Sequence, residues 1–190
     1  LLLTGPVGVC VLDDLFVMPV VWAGAWMALS VCAYGLEWRG LAIAAGLAAP
    51  LFRQLALPYC LLCAALAWRD RRPKEVAIWA AGLAVWALYF AYHWVQVLRL
   101  MPANAPAHPG GWIQFGGLPF AIATTQMNPY LLIVPQWATG LYLAAGLFAL
   151  AGWNTPAGRR IAATVCLFVI LFAVVGRPFN YYWGLLTAPL

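Results

Sequence analysis

Long apolar stretches with almost no charge are the feature that most limits what this chain can fold into. Of its 190 residues, 66% are hydrophobic and 8% are charged, whereas an average soluble domain has about 45–50% apolar and about 25% charged residues. So few charges cannot cover a soluble surface, and disorder requires low hydrophobicity. The sequence therefore excludes both classes and predicts an all-α protein embedded in a lipid bilayer.

Apolar segments of about 20 residues are long enough to cross the hydrocarbon core as helices. Complete spans of this kind are expected at residues 15–36, 76–98, 130–153 and 157–176. A further span is expected to begin at Gly184. The last residues are apolar and no start methionine opens the chain, so we expect a fragment, cut at both ends, of a longer polytopic protein.

The segment 41–68 does not fit a single span. It has 28 residues and carries Pro50, Arg53, Gln54 and Pro58 near its centre. Proline disrupts a helix interior, and a break at membrane depth requires surrounding protein or a water-filled cavity. We therefore predict two short helices, 41–51 and 55–68, that meet at a break inside the membrane.

Basic residues set the expected orientation, because cytoplasmic loops carry an excess of lysine and arginine. Arg39 and the cluster at 69–74 are then cytoplasmic, which a broken pair of helices allows and a single span does not. Alternation from there places residues 13–14, 99–127 and 177–183 on the extracytoplasmic face. Residues 1–190 form one multi-pass transmembrane domain of an inner or plasma membrane in this interpretation.

The segment 99–128 is expected to be an extracytoplasmic loop at the membrane interface. Prolines at 102, 106, 109 and 119 and glycine pairs at 110–111 and 116–117 prevent one continuous helix. Its aromatic residues favour a position on the interface or over a cavity.

Arg53 is the most informative candidate for a binding residue. An arginine inside a membrane segment is costly and usually faces a cavity or an anionic partner. With Gln54 beside it, Arg53 is a candidate to bind a phosphate or a carboxylate. The alternative is that Arg53 binds carbonyl groups freed at the break.

A second candidate set lies in the segment 176–183. Arg177, Asn180, Tyr181 and Tyr182 combine a cation with hydrogen-bond donors and flat rings, which suits a sugar or a pyrophosphate. The alternative is an anchoring arginine within an aromatic belt.

Other polar residues carry weaker signals. His93 and Arg99 share a broad face near the outer end of a predicted helix. They are candidates to bind substrate, and the alternative is that they only contact the membrane interface. Asp13 and Asp14 are candidates for a general base, a metal ligand or a sugar contact, or they form a polar helix start.

Cys60 and Cys63 have the C-x-x-C spacing of redox and metal sites. They lie within an apolar helix, where buried cysteine behaves as a small hydrophobic residue. We expect no cofactor, with a divalent metal as an open alternative, and no nucleic acid. The sequence leaves the oligomeric state undetermined.

Three stretches resemble the membrane core of bacterial GT-C type glycosyltransferases. They are residues 19–24 (Pro-Val-Val-Trp-Ala-Gly), the paired short helices at 41–68 with Phe-Arg-Gln-Leu-Ala-Leu-Pro at the turn, and residues 176–184. The resemblance implies a multi-pass enzyme that transfers a sugar from a lipid-phosphate donor outside the cytoplasm.

In that family an acidic residue of the first extracytoplasmic loop is the catalytic base. That loop would precede Leu1, whereas Asp13 and Asp14 come later in the order of spans, so the base stays unassigned. Gln54 stands where many relatives carry a charged residue. The resemblance implies that Arg53 or Arg177 stabilises the leaving lipid phosphate. The competing interpretation is a transporter or another non-enzymatic membrane protein that binds an anionic solute with the same arginines.

Overall fold

The computed structural model describes residues 17–102, 114–128 and 130–190. These residues form α-helices and 3₁₀ helices, with no strand among them. In chain order the elements are α1 (Pro19–Gly35), α2 (Arg39–Phe52), the 3₁₀ helix η1 (Gln54–Ala56), α3 (Leu57–Arg69), α4 (Pro73–Leu100), α5 (Gly117–Thr125), α6 (Gln136–Gly152), α7 (Pro156–Val174) and the 3₁₀ helix η2 (Pro178–Leu186). The all-α prediction is confirmed for the described part of the chain.

Helices α4 and α7 are long and apolar enough to cross a bilayer. They have 28 and 19 residues, which gives lengths of about 42 and 28 Å at a rise of about 1.5 Å per residue. Only 6% of the most apolar stretch of α4 is buried, so Val85, Leu88 and Tyr92 project from the surface. An apolar surface of this size is stable against lipid or a partner rather than against water.

The predicted break between two short helices is present. Helix α2 contains Pro50, and the residue after the helix, Arg53, is extended with φ −148° and ψ 120°. Because proline has no N–H, the carbonyl of Gly46 loses its helical partner, and the thiol of Cys60 donates to it at 3.2 Å. The indole of Trp86 donates to the carbonyl of Pro50 at 3.1 Å. Side chains of α3 and α4 thus bind backbone groups that the break leaves free.

Helices α1 and α3 end in the same way at one end of the bundle. Glu37 and Arg71 follow these helices with φ of 61° and 55°. In each case the next N–H donates to a carbonyl five residues back, which is the Schellman arrangement of a helix C-terminus. The chain therefore turns sharply at both positions and enters the next helix.

The arginines of this end converge on one small cavity. Its lining includes Arg39, Arg69, Arg72, Arg159 and Arg160. We call it the basic cavity and the surrounding part of the molecule the basic end. The opposite end, where α2 ends at Phe52 and Arg53 follows, is the break end. The structure thus places Arg39 beside the cluster at 69–74, as the sequence predicted.

The loop predicted at 99–128 is corrected in two places. Helix α4 continues to Leu100, and α5 forms within the segment and packs against α6, α7 and η2. Pro119 is tolerated because it lies in the first turn of α5, where its missing N–H has no helical partner. Phe120 and Thr124 are buried, so this part is an inner packing element rather than an interfacial loop.

Gly184, where a further span was expected to begin, lies within the 3₁₀ helix η2. A Cβ at Gly184 would overlap the backbone of Thr124 in α5, and a Cβ at Gly24 would lie 2.8 Å from the carbonyl oxygens of Leu185 and Leu186. Without a Cβ, glycine permits both close approaches. They hold η2 between α1 and α5.

The segment predicted to span at 130–153 begins later than expected. Pro135 precedes α6, which starts at Gln136 and has 17 residues. Residues 130–134 form turns, because the extended backbone before the helix, with ψ 152° at Pro135, cannot be part of it. Helix α6 is thus about 26 Å long, close to the thickness of a hydrocarbon core of about 30 Å.

Candidate anion site at the break end

The break and η2 meet through one pair of side chains. The guanidinium Nη2 of Arg53 lies 3.5 Å from the hydroxyl oxygen of Tyr182, 129 residues later in the chain. Hydrogen bonds of this type usually measure about 2.9 Å, so the contact is weak and the guanidinium retains capacity for a stronger acceptor. Arg53 is half-buried, whereas Gln54 beside it is exposed.

The contacts around the break bear on the two roles considered for Arg53. Cys60 and Trp86 donate to the carbonyl groups of Gly46 and Pro50. The described side chain of Arg53 makes no hydrogen bond to these carbonyls. It points to Tyr182 instead, so these carbonyls are paired without it.

Asn180 is the most unusual polar residue of η2. Its side chain is fully buried, and within the described residues neither its Oδ1 nor its Nδ2 has a hydrogen-bond partner. The indole nitrogen of Trp183 is in the same condition. Buried polar atoms are nearly always paired, and each one left unpaired costs about 1–3 kcal/mol. A bound ligand or water would satisfy them.

Arg177 lies between the end of α7 and the start of η2. Its backbone is extended, with φ −113° and ψ 146°, and its guanidinium carbon lies 6.0 Å from the centre of the Phe179 ring. That contact matches the aromatic setting in which the sequence placed this arginine.

Tyr181 lines a cavity beside α5 whose lining does not include Tyr182. This cavity has a volume of about 490 Å³ and lies among α5, η2 and the residues before α5 and α6. Its polar lining consists largely of Gln114, Gln126 and Gln136, and Phe115 adds an aromatic ring. Amides beside flat rings suit the hydroxyls and apolar faces of a sugar. We call it the glutamine cavity. Sequence reasoning missed it, because the three glutamines are scattered over 23 positions.

The structure does not join the remaining sequence candidates to this site. His93 is exposed and stacks on Tyr89 of its own helix, with 6.3 Å between ring centres. Arg99 is exposed in the last turn of α4. Asp13 and Asp14 lie outside the described residues.

The carboxylates of the described residues all lie at the basic end. Glu37 pairs with Arg39, Asp70 with Arg69, and Glu75 with Arg72. The sequence holds five acidic residues, so Asp13 and Asp14 complete the set.

A buried polar network at the basic end was missed by sequence reasoning. The hydroxyl of Tyr34 donates to Oε1 of Glu75 at 2.6 Å and accepts from the indole of Trp79 at 3.1 Å. Arg160 lies over the ring of Tyr34, 3.5 Å from its centre. In the sequence, Glu75 and Arg160 lie near the ends of separate helices, where charges are typical of the membrane interface. The packing of α1, α4 and α7 is what brings them together.

Cys60 and Cys63 are buried free thiols. Cys60 donates to a backbone carbonyl, and Nη1 of Arg160 donates to Cys63 Sγ at 3.2 Å. Their packing is that of small core residues. Among the described residues no group of three or more His, Cys, Asp or Glu side chains is arranged to hold a metal ion.

No protein-family model, curated protein or solved structure significantly matches the chain.

Proposed function

We propose that this chain is part of a membrane glycosyltransferase that takes a sugar from a lipid-phosphate donor at its break end. The contact between Arg53 and Tyr182 carries the proposal, because it places a half-buried cation with spare hydrogen-bonding capacity beside η2. The exposed apolar surface of α4 and the arginines collected at the other end support a multi-pass position with the break end outside the cytoplasm. The resemblance of three sequence stretches to GT-C enzymes supplies the reaction class.

The proposed reaction is a displacement at the anomeric carbon of the donor sugar. An acceptor hydroxyl forms the new carbon–oxygen bond while the bond to the lipid phosphate breaks. A carboxylate takes the hydroxyl proton, and the phosphate leaves with the electron pair of the broken bond. Arg53 would stabilise that charge. Within the given residues, Asp13 and Asp14 are the candidates for that carboxylate, because the other three acidic residues bind arginines at the basic end.

Two cavities flank α5 and suit the two parts of such a donor. The glutamine cavity fits a sugar through its amides and rings. On the other side of α5, a groove of about 160 Å³ is lined mainly by apolar residues of α6 and α7, with Thr124 and Asn128 among its polar members. An isoprenoid chain has the chemistry to lie in that groove.

The decisive experiment separates binding from transfer in the full chain reconstituted in nanodiscs. Binding of decaprenyl phosphate is the first measurement, and Arg53→Gln should weaken it about tenfold or more, because charge-assisted hydrogen bonds to phosphate are strong. Lys74→Gln removes one positive charge at the basic end and is the matched control. Equal affinities of the wild type and Arg53→Gln would show that Arg53 does not bind the phosphate.

The second measurement is sugar release from decaprenyl-phosphate sugars. The double variant Asp13→Asn with Asp14→Asn should retain binding and lose transfer. Transfer at the wild-type rate in this variant would contradict the assignment of the base.

A second candidate function is anion binding for transport without chemistry. The location of three carboxylates at the basic end favours it. The described residues of the break end then offer cations and amides to bind an anion, but no carboxylate to act as a base. Wild-type protein that binds decaprenyl phosphate and never releases sugar would support this candidate against the enzyme.

A further inference from the structure

The basic cavity holds more positive charge than its acidic residues neutralise. Its volume is about 60 Å³, and Arg39, Arg69, Arg72, Arg159 and Arg160 are in its lining. The first three each have a carboxylate partner, at 2.6, 3.1 and 3.6 Å. Within the described residues, Arg159 and Arg160 have no carboxylate within salt-bridge distance.

Arg160 is the key residue because its charge is buried. Its exposed fraction is 8%. The ring of Tyr34 and the sulfur of Cys63 are its contacts, and neither carries a full negative charge when the thiol is protonated. Glu75, in the same network, already accepts from Tyr34 and pairs with Arg72, so an anion that enters the cavity would give the buried Arg160 a closer partner and stabilise the folded protein.

The start of α7 adds to the positive potential in the basic cavity. Pro156 and Ala157, in the first turn of α7, line the basic cavity. The N-terminal end of a helix carries a partial positive charge and free N–H groups. Pro156 has no N–H, and the Thr155 side chain accepts from Gly158 N at 3.0 Å, which leaves the N–H of Ala157 in the first turn for an anion.

A neighbouring groove indicates that the anion belongs to a lipid. It has a volume of about 720 Å³ and shares Arg69 and Arg72 with the basic cavity. Trp68 and Val76 provide part of its apolar wall, and the Trp68 side chain is 76% exposed. Arginines at the rim of an apolar groove match an anionic headgroup with an acyl chain below it.

We propose that the basic cavity binds the phosphate of an anionic phospholipid, with an acyl chain in the groove beside Trp68. This inference needs the basic end to lie at a membrane surface but does not depend on sugar transfer. It concerns the opposite end from Arg53, so the two proposals fail separately.

The test measures phosphatidylglycerol binding to the purified full chain in neutral detergent by native mass spectrometry. Titrations run at 0.5 M salt, because high salt screens exposed charges much more than buried ones. Arg159→Gln should weaken binding about tenfold, since a charge-assisted hydrogen bond to phosphate is lost. Lys74→Gln makes the same change of net charge at the same end, outside the cavity lining, and should change binding less than about twofold. Equal losses for the two variants would show diffuse attraction and overturn the proposal.

Two further arms complete the test. If Arg159→Gln does not fold, Arg69→Gln replaces it, because this exposed side chain lines both the cavity and the groove. Phosphatidylcholine and inorganic phosphate are titrated against the wild type. Weaker binding of both supports the phospholipid. Inorganic phosphate that binds as tightly as phosphatidylglycerol would instead show a site for free phosphate and refute the lipid.

Discussion

The two ends of the bundle differ in whether their buried polar groups are hydrogen-bonded. At the basic end, Glu75, Tyr34 and Trp79 form a connected set of hydrogen bonds. At the break end, Asn180 is fully buried and its amide has no partner among the described residues. The contact of Arg53 with Tyr182 is long.

This difference separates structural from functional polarity. A paired buried group stabilises the fold, whereas an unpaired one destabilises it and persists where function requires it. We therefore expect substitutions at the basic end to lower the free energy of unfolding. At the break end we expect polar-to-apolar substitutions to raise it and to reduce ligand binding.

The largest expected loss of stability is at Glu75. Glu75→Ala removes the acceptor of Tyr34 and the partner of Arg72, so the free energy of unfolding should fall by about 3 kcal/mol. Denaturation by SDS in mixed micelles measures it. A loss below about 1 kcal/mol would show that the network contributes little, given the usual range for such groups.

The position of η2 gives the next largest effect. Gly184→Ala places a Cβ against the backbone of Thr124 and should cost about 2 kcal/mol through the forced displacement. The matched control is Gly146→Ala in α6, where a Cβ meets no atom within 4 Å; it should stabilise by up to about 1 kcal/mol. Thermal unfolding of both variants in one detergent tests the opposite signs, and equal effects would contradict the packing of η2 on α5.

A third substitution sharpens the contrast directly. Asn180→Leu replaces unpaired amide atoms with an apolar group of similar size and should stabilise the fold by about 1 kcal/mol, while decaprenyl phosphate binding weakens. Ser30→Ala is the comparison for a paired group. It deletes the hydroxyl that donates to the Ala42 carbonyl and accepts from Tyr59, and should cost about 1–2 kcal/mol. If both substitutions destabilise equally, the contrast between the two ends is wrong.

The smallest effect is expected for an exposed ion pair. Glu37 and Arg39 lie 2.6 Å apart, but their side chains are 66% and 44% exposed. Glu37→Gln should change the free energy of unfolding by less than about 0.5 kcal/mol, because solvent screens such pairs. The same SDS titration compares it with Glu75→Ala, and similar losses would mean that burial does not govern the strength of these pairs.

Several features of the fold were predictable because they depend on local chemistry. The prolines at 50 and 58 predicted the break in 41–68, and the structure shows it beside Arg53. The basic residues at 39 and 69–74 predicted one common end. Proline removes a specific N–H, and a turn between short helices returns the chain to its starting side, so neither prediction required tertiary information.

Other features were not predictable because they depend on contacts between distant segments. Helix α5 lies in a segment rich in proline and glycine, and burial of Phe120 and Thr124 stabilises it. The pairing of Arg53 with Tyr182 joins positions 129 residues apart. A sequence pattern reports neighbours within one helix, not which helices pack together.

The amino-acid residues alone predict the helical class, the apolar surface, the break at Arg53 and the collection of arginines at one end. These follow from the number of charges, the helical backbone and the positions of proline. The packing of the helices sets three other features: η2 fits between α1 and α5, Glu75 reaches Tyr34, and Asn180 is buried without a described partner. These depend on interatomic distances that the packing of several helices sets together.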